Sequence, residues 1–187
     1  MGADRLYFTS DDEANALLAR DPVALLIGFA LDQQVTVQKA FSGPLDLERR
    51  LGTLDPGRIA TTDPAELERV FREKPAIHRF PGAMATRVRN LCEVIAEEYG
   101  GDARRIWTEA ADGADLKKRI GALPGFGDMK VRAMLAVLAK QFDVSPPGMA
   151  AVVPTHPTLG DVDSPEALES YQAAKRAYKA SQRAASA

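Results

Sequence analysis

At 187 residues the chain is long enough to bury a sizeable core, as one domain or one domain with a small appendage. Its 45% hydrophobic and 27% charged content is that of a globular protein, and a net charge of −2 confines any nucleic-acid binding to a local basic patch. The one cysteine, Cys92, excludes an intrachain disulfide and any four-cysteine metal or iron–sulfur site.

Nearly every segment reads as helix. Ser10 with Asp11, Asp12 and Glu13 caps a first helix over 10–19, with acids in its first turn. Pro22 opens a buried helix over 22–34, whose apolar run at 23–31 is too short to span a bilayer. The polar, acidic N-terminus carries no secretory pattern, so a cytoplasmic location and no membrane partner are expected. Short helices follow over 35–41, 45–51 and 62–71, the last opened by Asp63-Pro64. Pro81-Gly82 precedes a long helix over 81–99, closed by Gly100-Gly101, and Cys92 lies on its apolar face with Val88, Leu91 and Ile95. After Phe142 two proline-rich loops lead to a last helix over 164–181. No strand pattern and no internal repeat is visible.

Leu123-Pro124-Gly125-Phe126-Gly127 is the most informative stretch. Leu116, Ile120 and Leu123 precede it at helical spacing, and Val131, Met134, Leu135 and Leu138 follow it on one helix face. Proline ends the first helix and two glycines supply the tight backbone. The free N–H groups opening the second helix suit a phosphate held without reading a base. Lys117, Lys118, Arg119, Lys130, Arg132 and Lys140 flank the hairpin against one acid, Asp128. The alternative is an ordinary helix–turn–helix connection with a solvated basic face.

Three blocks together resemble the helix-hairpin-helix (HhH-GPD) base-excision DNA glycosylase superfamily. They are Leu26-Ile27-Gly28-Phe29-Ala30-Leu31-Asp32-Gln33-Gln34, Phe80-Pro81-Gly82-Ala83-Met84 with its helix, and the hairpin itself. They come in family order across roughly 22–142. The resemblance implies an all-α, two-lobed fold without an iron–sulfur cluster. One lobe is 22–142, with the hairpin at about 114–140, and the other combines 1–21 with 143–187. It also implies a monomer that binds damaged double-stranded DNA. Backbone carbonyls of Gly121, Leu123 and Phe126 would hold a monovalent cation, Na+ or K+, when DNA is bound. Amides near Gly125 and Gly127 would bind a phosphate, with Lys130 and Arg132 beside them. Gln33 or Gln34 would enter the duplex beside the extruded base. No other cofactor is expected.

The chain departs from the family at its chemistry. Cleaving an N-glycosidic bond builds positive charge on the sugar, which a nearby carboxylate stabilises. The family places an aspartate before Thr-His, whereas here Pro154 precedes Thr155-His156. Asp161 and Asp163 are the nearest replacements, each also readable as a loop or cap residue. Met129 occupies the position of the lysine that lets some members form a Schiff base, and Lys130 is about 100° away around the helix, facing elsewhere. The reading is therefore a monofunctional DNA glycosylase without lyase activity. The alternatives are a non-catalytic DNA-binding module that has lost its carboxylate, and a helical adaptor with a vestigial hairpin.

Overall fold

The computed structural model describes residues 2–185, so positions 1, 186 and 187 of the expected units lie outside the described residues. Among these residues every regular element is helical. Helix α1 (Asp12–Arg20) starts at Asp11, whose carboxylate accepts from the amides of Glu13 and Ala14 at 2.9 and 3.1 Å. Asp21 ends α1 and caps α2 (Pro22–Leu31) by accepting from Val23 N at 2.8 Å. One residue thus closes one helix and opens the next, and the chain turns sharply between them.

Helix α2 is apolar on every side, and nine of its ten residues are buried. Helices α1, α3 (Val37–Leu51) and α6 (Pro81–Glu98) pack around it. Gly28 permits the closest of these approaches: a Cβ there would lie 2.4 Å from the Phe41 ring. Phe41 in turn packs edge-on against Phe8 and Phe29, at 5.0 and 5.1 Å between centroids.

Two short helices, α4 (Pro56–Thr61) and α5 (Pro64–Arg72), pack on α6, each with an aspartate cap and proline in its first turn. After α7 (Arg105–Thr108) come α8 (Gly113–Gly121) and α9 (Asp128–Gln141), the two arms of the hairpin. Two 3₁₀ turns, Met149–Ala151 and Leu159–Asp161, lead to α10 (Pro165–Ala185). The buried residues run from Leu6 to Leu168 in one continuous cluster.

The all-α expectation holds, with three local corrections. The helix expected over 22–34 stops at Leu31, so Gln33 and Gln34 sit on a turn, and Gln34 takes a left-handed φ of 56°. The two helices expected over 35–41 and 45–51 are one, with Pro44 inside it. Proline removes one backbone donor there, but Gly43, Pro44 and Leu45 are all buried, and that packing holds the helix continuous. The stretch between 51 and 62, left without an element, contains α4. Cys92 is fully buried, which pushes its thiol up to about 12 and leaves it an apolar filler. No single helix among the described residues is long and apolar enough to cross a membrane.

Candidate nucleic-acid interface

The hairpin turn is built as its sequence demands. Phe126 N donates to Leu123 O at 3.2 Å. Pro124 and then Gly125, at φ 85°, fill the two central positions, the arrangement of a type II turn. Gly125 is required twice over. A side chain there would need positive φ, and its Cβ would stand 2.6 Å from Arg87 Cδ. Gly127 is different: it is the N-cap of α9, with extended backbone and nothing within 4 Å of a Cβ. No side chain bonds the first amides of α9, so they face the open space above Gly127. The Phe126 side chain is buried against Phe29, with 6.3 Å between ring centroids, which fixes the hairpin to α2.

The hairpin meets the end of α2 through two cations. Arg87 of α6 lies under Gly125 and donates to Gln33 Oε1. Lys130, in the first turn of α9, reaches back to α2 and donates to Ala30 O at 3.1 Å. That carbonyl is one of the four left unpaired at a helix C-terminus, where a cation is favoured. Lys130 is therefore turned into the fold and Met129 is the exposed residue, at 80%. Lys130 thus faces a different direction from Met129, toward the C-terminal carbonyls of α2. Burial and the nearby Arg87 charge lower the Lys130 ammonium to about 8, with Asp32 opposing them.

Asp32 is the residue that sequence reasoning did not nominate. It is the C-cap of α2, and it is half-buried. Burial raises its pKa, while the charges of Lys175, Lys130 and Lys179 pull it back down. Tyr171 of α10 is raised by burial and by the Asp32 charge. A carboxyl, an amine and a phenol from three separate helices thus share one neighbourhood beside the hairpin. The available signal was the abrupt change from an all-apolar helix to Asp-Gln-Gln.

The turn that follows Asp32 is held by His78. Its Nδ1 accepts from Phe80 N at 3.0 Å. That bond places the proton on Nε2, which contacts Leu31 O and Gln33 O, each at 3.1 Å. The ring is 1% exposed, and burial lowers its pKa. Gln33 is consequently fixed at both its backbone and its side chain, whereas Gln34 is exposed.

Asp161 and Asp163 lie elsewhere. Asp161 Oδ2 accepts from Thr158 N at 2.8 Å, completing a capping box for the second 3₁₀ turn. Its Oδ1 pairs with Lys140 at 2.5 Å. Burial alone would raise the carboxyl, but Lys140 and the Thr158 amide and hydroxyl hold it below its ordinary value. Lys140 stands in the last turn of α9, about 18 Å along the helix from the hairpin. Asp163 is exposed just before Ser164, whose hydroxyl caps α10 by accepting from Ala167 N at 3.1 Å. Arg132 is exposed one residue beyond the Val131 core contact.

The carbonyls of Gly121, Leu123 and Phe126 all lie on the hairpin, and that of Leu123 already accepts the turn hydrogen bond. No group of three or more His, Cys, Asp or Glu side chains among the described residues is placed to hold a metal ion. A surface concavity of about 210 Å³, lined by Arg20, Leu25, Trp107 and Phe142, lies apart from the hairpin residues. Comparison with known proteins returns no matching family model, no matching curated protein and no matching solved structure.

Proposed function

We propose that this chain is a DNA-binding base-excision repair protein of the two-lobed helix-hairpin-helix type, acting as a monofunctional glycosylase on damaged duplex. The observation that carries the reading is the hydrogen bond from Lys130 to Ala30 O, which ties the hairpin to the end of α2 where the Asp32 carboxyl feels the lysine's charge. The open amides before α9 hold a backbone phosphate. Asp32, in place of Asp161 or Asp163, supplies negative charge beside the flipped nucleotide, where positive charge develops on the sugar. Gln34, two residues on, is exposed. The carbonyls of Gly121, Leu123 and Phe126 are uncharged oxygen donors, suited to Na+ or K+ shared with that phosphate. The ion would neutralise phosphate charge.

Tyr171 stands close enough to Asp32 to feel its charge. With Lys130, Lys175 and Lys179 also acting on that carboxyl, a second reading is favoured, a non-catalytic module that grips DNA with the same hairpin. A strand-cleavage screen over a panel of base lesions, with alkali to reveal abasic products, separates the two. Base release on any lesion supports the enzyme, and duplex binding with no product on every lesion supports the module.

Gly127→Val tests the hairpin directly. Its backbone accepts any residue and its Cβ meets nothing, so the fold should survive. The added side chain stands where a phosphate must approach. Duplex affinity by fluorescence anisotropy should fall at least about tenfold, with the thermal midpoint within a few degrees of wild type. Unchanged affinity at several salt concentrations removes the hairpin from the binding surface.

Base release should leave the abasic strand intact, because Met129 has no amine. Borohydride trapping on an abasic duplex checks this. A covalent adduct lost in Lys130→Met would instead give Lys130, turned inward and lowered to about 8, the covalent role.

A further inference from the structure

Helix α10 is 21 residues long, yet Leu168 is its one buried residue among those described. It docks through its first two turns. Leu168 enters the core, Tyr171 packs against its edge within reach of the Asp32 charge, and Gln172 exchanges amide hydrogen bonds with Gln38 at the start of α3. Beyond Gln172 the helix runs on with its side chains largely exposed.

The docked face does not simply end there. At 100° per residue, Leu168, Tyr171, Gln172, Lys175, Lys179 and Arg183 fall within an arc of about 120°. The stripe that is apolar against the core therefore becomes basic where it leaves it. Charge along the chain is segregated in the same way: the protein is net −2, but positions 170–187 carry Lys175, Arg176, Lys179 and Arg183 and no acid. Lys175 Nζ sits 5.8 Å from the Tyr171 ring centroid, which directs its ammonium toward the docked end. Lys175 and Lys179 both act on the Asp32 carboxyl, as Lys130 does from the hairpin side. Cations from α9 and α10 thus approach one carboxyl from two different elements.

We propose that the basic stripe of α10 is a second DNA-backbone contact, lying across Asp32 from the hairpin and gripping the same strand. The inference rests on the hairpin reading above. The occupant follows from charge: an acid-free stripe about 12 Å long from Lys175 to Arg183 matches about three successive phosphates of one strand. A stripe of three cations at i, i+4 and i+8 with no acid between them lowers the stability of an isolated helix through like-charge contacts. A polyanion relieves that cost.

The test is anisotropy with a lesion-free 20-base-pair duplex, titrated at several KCl concentrations. Four proteins are compared: wild type, Lys175→Gln/Lys179→Gln/Arg183→Gln, a control of equal charge (Arg49→Gln/Arg58→Gln/Lys74→Gln), and Gly127→Val. Circular dichroism verifies that all four are helical. The α10 triple variant should lower the slope of log affinity against log salt by about two to three, and lower affinity about tenfold or more at 0.1 M salt. The control should stay near wild type. A triple variant indistinguishable from the control overturns the proposal, and so does an equal loss in both, which would be a net-charge effect. If Gly127→Val weakens binding while the triple variant does not, the hairpin reading stands and this one falls. Absence of duplex binding by wild type ends both.

Discussion

Asp32→Asn should reduce base release by about 10²- to 10³-fold, the usual loss when one preorganised charge that stabilises a transition state is removed. Asparagine keeps the volume and the C-cap position but cannot carry the negative charge an electron-poor sugar requires. Duplex affinity should hold or rise, because a carboxylate near phosphate is lost. The comparison that gives this result meaning is Asp161→Ala. Asp161 caps a 3₁₀ turn and pairs with Lys140, so its loss should cost about 1 kcal/mol of stability and leave base release unchanged. Single-turnover release on the best substrate, with urea denaturation in parallel, measures both. Release lost in Asp161→Ala but retained in Asp32→Asn would return the chemistry to the 3₁₀ turn and remove Asp32 from it.

His78→Leu should destabilise the fold by about 2–4 kcal/mol, because it removes three hydrogen bonds to the backbone and strands two of those groups. Gln33 O loses its donor and Phe80 N its acceptor, while Leu31 O keeps the Gln33 amide at 2.7 Å. His78→Asn should cost less, since its carboxamide oxygen can still accept from Phe80. The same geometry gives a pH dependence whose sign is fixed. The buried ring is held neutral and its pKa lies below the ordinary value, so the unfolded chain binds the proton first. The stability due to His78 is complete above about pH 6.5 and is lost as pH falls from there through the lowered pKa. Urea midpoints between pH 8 and 5 should show this loss in wild type and a smaller one in His78→Asn. Equal pH slopes in the two proteins would contradict the lowered pKa of the buried ring.

Local features of the fold were legible because their causes are local. Asp11, Asp63 and Asp112 precede helices and cap them, and Pro22, Pro64 and Pro81 open them as their fixed φ allows. Cys92 reads as an apolar-face residue and is buried as one. Pro44 misled because its effect depends on what surrounds it, and burial holds α3 together across it. The site was legible only in its hairpin. Asp161 and Asp163 were chosen for nearness in sequence to a family position, but the capping box that engages Asp161 depends on folded geometry. Asp32 and Lys130 are 98 positions apart, and their meeting depends on a lysine folding back over the end of another helix. Periodicity carries no such information.

The all-round burial of α2 has a consequence for how fit is achieved. This helix ends in Asp32 and the Gln33–Gln34 turn, and that turn is tied down by His78 and Arg87, with Lys130 bonded to the last turn of α2. Moving the turn by an ångström means shifting nine packed residues or breaking those ties, and close-packed interiors yield in steps rather than by degrees. The wall formed by α2 and the hairpin is therefore a rigid anvil. On the protein side, the exposed end of α10 is packed against the least. For a duplex, the bending would be borne by the nucleic acid, so strands already weakened in their stacking would be the ones admitted at least cost.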